Sequence, residues 1–185
     1  MFVVVLSLAL CSQSANAATR VQIVDVFNMV TSMSHDLNVV VSQINVLSAI
    51  TEGGKVAPGF QNIVNGVANA ASMLQNDPSR TQLTVADAKL VVDALTTFVQ
   101  VHQMLLATVI SKHGILTMIP YTEPIRQALV SLESTVDSFA FALIAFIPTS
   151  AQPGYTAQFN GLNVQVEKTI TVYSCPLGAL CGPGQ

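Results

Sequence analysis

Three consecutive residues, Ser34, His35 and Asp36, carry the side chains of a nucleophile, a base and an orienting carboxylate. On a helix, neighbouring side chains diverge by about 100°, so these three cannot hydrogen-bond in series. The chain has no G-x-S-x-G, no H-E-x-x-H, no phosphate-cradling P-loop and no G-x-G-x-x-G. Its carboxylates are scattered over turns and outer helix faces, and Glu167-Lys168 is a solvated charge pair. No catalytic residue, metal ligand set or cofactor site is expected.

His102 is the one polar residue in the middle of an apolar stripe. It could receive a carboxylate head group. The favoured alternative is a core histidine satisfied by a backbone carbonyl or by a hydroxyl on a facing helix. Ser48 and Thr169 lie near inward stripes and could act as further hydroxyl handles. Met29, Met33, Met73, Met104 and Met118 suit adaptable apolar spaces, with ordinary core filling the default for each. If a lipid enters the interior, the candidate lining is Met33, Leu37, Phe98, Leu105, Phe139 and Leu143, with His102, Ser48 and Thr169 as the polar contacts.

The elements that must position these residues are read from apolar spacing. Ile23, Val26, Val30, Met33, Leu37, Val40, Ile44 and Leu47 alternate steps of three and four, predicting one long helix that Gly53-Gly54 stops. After Pro58 come Phe60, Ile63, Val67, Ala70 and Leu74. Gly66, Ala70 and Ala71 make this helix thin, so a neighbour approaches closely or a space opens beside it. Asn76-Asp77-Pro78-Ser79 breaks the chain. Thr84 and Asp87 then begin a third helix in the manner of a capping box. Its stripe is Ala88, Val91, Leu95, Phe98, His102, Leu105 and Val109, closed by Lys112, His113 and Gly114. Val101 and Met104 make its opposite face apolar too, which predicts a central position. A fourth helix opens near Pro124 and carries Ile125, Leu129, Leu132, Val136, Phe139, Leu143 and Phe146. Pro153-Gly154 separates it from a last helix with Phe159, Leu162, Val166, Ile170 and Tyr173. Many of these residues are β-branched, but the period is helical throughout. The expectation is an all-α, single-domain bundle of about five amphipathic helices.

The ends of the chain point to secretion. Phe2 to Cys11 is an apolar run of signal-peptide length, followed by Ala15-Asn16-Ala17 as a cleavage site, although no Lys or Arg precedes it. The expected organisation is a signal peptide at 1–17, a helical domain at 18–174 and a cysteine-containing tail at 175–185. In an oxidising compartment Cys175 and Cys181 could close a small loop, with intermolecular pairing the alternative. No N-x-S/T sequon and no hydrophobic GPI-type tail are present, so the expected product is extracellular, without N-linked glycan or lipid anchor. Only 9% of residues are charged, 51% are hydrophobic and the net charge is −3. That balance argues against disorder and, with no basic cluster and no Trp, against a nucleic-acid surface.

The order of these features resembles a known family. A signal peptide and a helix ending in Gly-Gly precede Leu83-Thr84-Val85-Ala86-Asp87-Ala88. Then follow Lys112, Leu129 to Leu132, Asp137-Ser138-Phe139-Ala140, Ala142-Leu143-Ile144, Ile147-Pro148 and a helix reaching Tyr173. The pattern is similar to the hydrophobic surface binding protein A family of filamentous fungi, which includes the cell-wall galactomannoprotein antigens. That resemblance implies secretion, a helical bundle, adsorption to hydrophobic surfaces and fatty-acid binding between helices. It also implies association with the cell wall or its polysaccharides and recruitment of hydrolases to apolar substrates. The Ser/Thr-rich, GPI-signalled tail of wall-attached members is replaced here by the cysteine tail. The resulting expectation is a non-enzymatic protein that takes fatty-acid-like lipids between its helices, adsorbs to hydrophobic surfaces, or does both. A structural wall mannoprotein or an adaptor for hydrolases is the alternative.

Overall fold

The structure, a computed structural model, describes the backbone of residues 2–77 and 81–174 and the side chains of residues 20–77 and 81–174. The side chains of the apolar leader, the Pro78-Ser79 break and the Cys175–Cys181 tail lie outside these limits. Five long helices and one short turn of helix follow in order: α1 (Phe2–Ser42), α2 (Ala49–Gly53), α3 (Val56–Gln75), α4 (Val85–Leu116), α5 (Thr122–Ile144) and α6 (Gln152–Ser174). No strand occurs among the described residues. The bundle is all-α, as the spacing predicts.

The long helices form a closed ring in the order α1, α3, α5, α6, α4 and back to α1. Cross-helix bonds give their directions. Arg20 meets Asp87 at 3.2 Å and Lys112 Nζ donates to the Ile44 carbonyl at 2.8 Å, so α1 and α4 run parallel. Gln103 bonds Gly161 O, and the Tyr173 hydroxyl donates to Val109 O, so α6 is parallel to α4 as well. The Tyr155 hydroxyl donates to Ala140 O and Asn163 to Asp137, which sets α5 antiparallel to α6.

Every residue named above for the stripes of α3, α4 and α5 is buried, and all of α6's except half-buried Ile170. Full burial of one such Leu, Ile or Phe is worth about 2 kcal/mol relative to exposure, so these stripes hold the ring together. Thr84 caps α4 as expected: its hydroxyl accepts the Asp87 N–H at 3.1 Å.

Three expectations are corrected. The first helix does not run to Gly53-Gly54. It stops at Ser42, because Asn45 Oδ1 accepts the Leu47 and Ser48 N–H groups at 2.9 and 3.1 Å, a local turn that competes with helix. Leu47 is therefore 96% exposed at the tip of that turn rather than on an inward stripe. Gly53 instead lets α2 press on the α4–α5 corner, where an added Cβ would lie 2.9 Å from Leu116 Cδ2. Finally, α4 is not central. It is one stave of the ring, flanked by α1 and α6, and Met104 on its outer face is exposed. By length and composition α4 and α5 are apolar enough to cross a bilayer, and each buries its inward stripe against two neighbours.

Candidate functional site

α1 carries two apolar stripes side by side. The one that enters the core is Ile23, Phe27, Val30, Ser34, Leu37, Val41 and Ile44, all buried. Met29, Met33 and Val40 lie alongside it and turn toward α3. On α3 the facing positions are Lys55, Gly59, Asn62, Gly66 and Asn69, again spaced by four and three, so they form one line. Two glycines in that line bring the helix backbones together. A Cβ at Gly59 would lie 2.5 Å from Leu37 Cδ1, and one at Gly66 would lie 3.3 Å from Met29 Cε.

Between these lines lies a groove of about 880 Å³. That volume is in the range of small-molecule sites. Its floor is Met29, Met33, Leu37, Val40 and the two glycines, and its rim is Asn62, Asn65 and Asn69. From Lys55 to Asn69 it follows α3 for about 20 Å at the helical rise. The apolar floor and long, narrow shape suit an alkyl chain, and the flexible methionines let the floor adjust to it. The charged residues of the lining are Lys55 and Asp36. Lys55 Nζ is held by both Glu52 carboxylate oxygens, at 2.9 and 3.0 Å, and Asp36 adds a negative charge.

Behind the groove, at the level of Leu37, lies the one charged-type side chain that the core holds among the described residues. His102 is fully buried, with its Nδ1 2.8 Å from Ser34 Oγ. The Ser34 hydroxyl donates its proton to Val30 O at 2.8 Å. Ser34 is therefore the acceptor for Nδ1–H, which leaves Nε2 of the neutral ring as a bare acceptor. Nε2 has no hydrogen-bond partner, a condition shared with Asn38 Oδ1, His113 Nε2 and Asn163 Oδ1. Burial pushes the imidazole down from its ordinary 6.5 to about 4. Its ring is packed by Phe98 at 5.3 Å and Phe60 at 6.3 Å.

The residues singled out from the sequence fall into separate places. Met33 and Leu37 line the groove. His102, Phe98 and Phe139 join Phe27, Phe60 and Phe159 in one connected set of rings inside the bundle. Leu105 and Leu143 are fully buried core residues, and Thr169, also buried, donates to Gln165 O on its own helix. Ser48 is remote from both groups: its hydroxyl closes the α1–α2 turn on Asn45 N and Gln43 O. Ser34 has no place in the sequence-derived lining, yet it orients His102. Its signal is its position, three or four residues from Val30 and Leu37 on the buried stripe. Among the described residues no His, Cys, Asp and Glu group could hold a metal ion.

No protein-family model and no curated protein matches the sequence. Solved structures do match the fold. AfMP4p in complex with palmitic acid has a TM-score of 0.65 at 14% identity, over 83% of this chain and 99% of that one. Ligand binding domain 2 of the Penicillium marneffei MP1 protein, complexed with multiple arachidonic acids, has a TM-score of 0.64 at 12% identity, over 86% and 97%. Domain 1 of the same protein, complexed with arachidonic acids, has a TM-score of 0.59 at 14% identity, over 83% and 99%.

Proposed function

We propose that this chain is a secreted, non-enzymatic carrier that holds a fatty-acid-like lipid along the α1/α3 seam. The observation that carries this is the groove itself: about 880 Å³, with a methionine-rich floor and an asparagine rim. Neighbours of the same fold solved with palmitic and arachidonic acids support a lipid as the ligand class. In this reading residues 1–17 are removed on export and the helical domain works outside the cell, free or loosely wall-associated. It fits the resemblance to the hydrophobic surface binding family.

The test is saturable binding of a fluorescent fatty acid by delipidated protein, compared with Asn62→Trp. Asn62 is exposed on the groove rim, so the indole fills the groove without entering the core. Affinity should fall about tenfold or more with the melting temperature unchanged. If calorimetry finds no saturable binding and mass spectrometry of protein purified from its host finds no lipid, the proposal is wrong.

A second reading, adsorption to hydrophobic surfaces, is favoured by one end of the bundle. Val46, Leu47 and Ile50 are exposed there together with Met118 of the α4–α5 corner, to which Tyr121 ties Ile50 O at 3.0 Å. Contiguous exposed apolar groups of this kind mark contact surfaces. Wall attachment and recruitment of hydrolases belong to the same reading.

A further inference from the structure

The structure assigns His102 Nε2 as the anchor for a proton-bearing lipid head group, a protonated carboxyl or an alcohol, that reaches it past Leu37 from the α1/α3 groove. This inference rests on the groove being a lipid site and adds what that site recognises. Nε2 is a buried acceptor with nothing donating to it, and a group that donates is what it lacks. Ser34, which holds the other ring nitrogen, is one turn from Leu37 on the same face of α1, and Phe60, which packs the ring, follows Gly59 on α3. Leu37 lines the groove and fills the space that Gly59 leaves, and it is the side chain that must swing aside for a head group to pass. From Gly59 to Asn69 about 15 Å of groove remains for the alkyl chain.

Charge in the groove selects against the alternative, a carboxylate. The cation there, Lys55, is already held by Glu52, and Asp36 faces the same space. Around His102 the contacts are Ser34 from α1, Phe60 from α3 and Phe98 within α4. Among the described residues the buried polar or charged ones are Ser34, His102 and Thr169, so α5 and α6 bring no buried charge to the ring. The buried phenols of α6, Tyr155 and Tyr173, are already bonded to Ala140 O and Val109 O. An ionised fatty acid in solution must therefore collect one proton as it binds, shared between its carboxyl oxygen and Nε2. An alcohol brings its own.

The experiment is competitive displacement of a fluorescent fatty acid by dodecanoic acid and by 1-dodecanol, between pH 8 and pH 6, on the wild-type chain, His102→Leu and His102→Gln. For the wild type, dodecanoic acid should bind about tenfold tighter for each unit the pH falls, the slope of one proton taken up, and 1-dodecanol should show no slope. His102→Leu should weaken both ligands about tenfold, the worth of one buried hydrogen bond. His102→Gln, whose side-chain oxygen still accepts, should recover part of the loss. Acid binding that ignores pH or tightens as pH rises overturns the assignment, as does unchanged binding by His102→Leu. In both those cases the groove remains a lipid site. Should the wild type bind neither ligand, the lipid reading falls and this assignment falls with it.

Discussion

Replacing Ser34 by Ala removes the acceptor for His102 Nδ1–H and leaves the buried ring with neither nitrogen paired. An unsatisfied buried donor costs about 1–3 kcal/mol, so Ser34→Ala should lower stability by about 2 kcal/mol, roughly 6 °C in Tm for a chain of this size. His102→Leu behaves differently. Ser34 keeps its bond to Val30 O, the orphaned Nε2 is gone, and an apolar side chain takes its place among Phe60 and Phe98. At pH 7.5 that variant should lie within about 1 kcal/mol of wild type. The double variant should match His102→Leu, giving a coupling of about 2 kcal/mol where additivity would give none.

Burial of His102 also sets a pH window. His102 is depressed from 6.5 to about 4 in the folded chain, so the unfolded chain takes up the proton first as pH falls. Its contribution is complete above pH 6.5 and is lost as pH drops toward 4, amounting to about 3 kcal/mol over that interval. Urea titrations followed by far-UV circular dichroism at pH 7.5, 5.5 and 4.5 measure this. Between pH 7.5 and 4.5 the difference between wild type and His102→Leu should shift by about 2.5 kcal/mol in favour of the variant, other titrating groups cancelling. Equal pH slopes in the two proteins would refute the burial of a neutral imidazole, and an unperturbed Ser34→Ala would refute the hydrogen-bond assignment.

Gly53→Ala forces a methyl group against Leu116, Tyr121 and Ile119, at distances from 2.9 to 3.2 Å, and should cost about 1–3 kcal/mol by thermal melting. Thr84→Ala removes the acceptor at the start of α4 and should cost about 1 kcal/mol, read from the urea midpoint. Combined replacement of Val46, Leu47 and Ile50 by Ser should leave Tm within about 1 °C, since their side chains are solvent-exposed. It should nonetheless reduce retention on hydrophobic beads, and undiminished retention removes that end of the bundle from the adsorption reading.

The packing of α3, α4, α5 and α6 was legible because each carries an apolar stripe at unbroken helical spacing. α1 was harder. Val26, Met33 and Val40 score as more hydrophobic than the alternative set Phe27, Ser34 and Val41 because of one serine. The latter set is nonetheless the buried one, since the Ser34 hydroxyl is satisfied by its own helix and by a histidine 68 residues away. Spacing cannot see a long-range partner. The end of α1 was misplaced because glycines looked like the stop, whereas Asn45 makes the turn. Val101 and Met104 suggested that α4 is surrounded, but apolar residues on an outer face are common in folded chains. For the groove, the thinness of α3 at Gly66 was visible. The full line of Lys55, Gly59, Asn62, Gly66 and Asn69 was readable too, but an apolar search passes over a stripe made of glycine and asparagine.

That line also makes α3 a ruler. Its residues enter the groove at intervals of three or four, about 5 Å of length apiece, so the space beside α1 is graduated in helical turns. A side chain in place of Gly66 would close the far end by one graduation, while one in place of Gly59 would shut the end near Lys55. The length of alkyl chain accepted is then set in steps, by single residues along one helix.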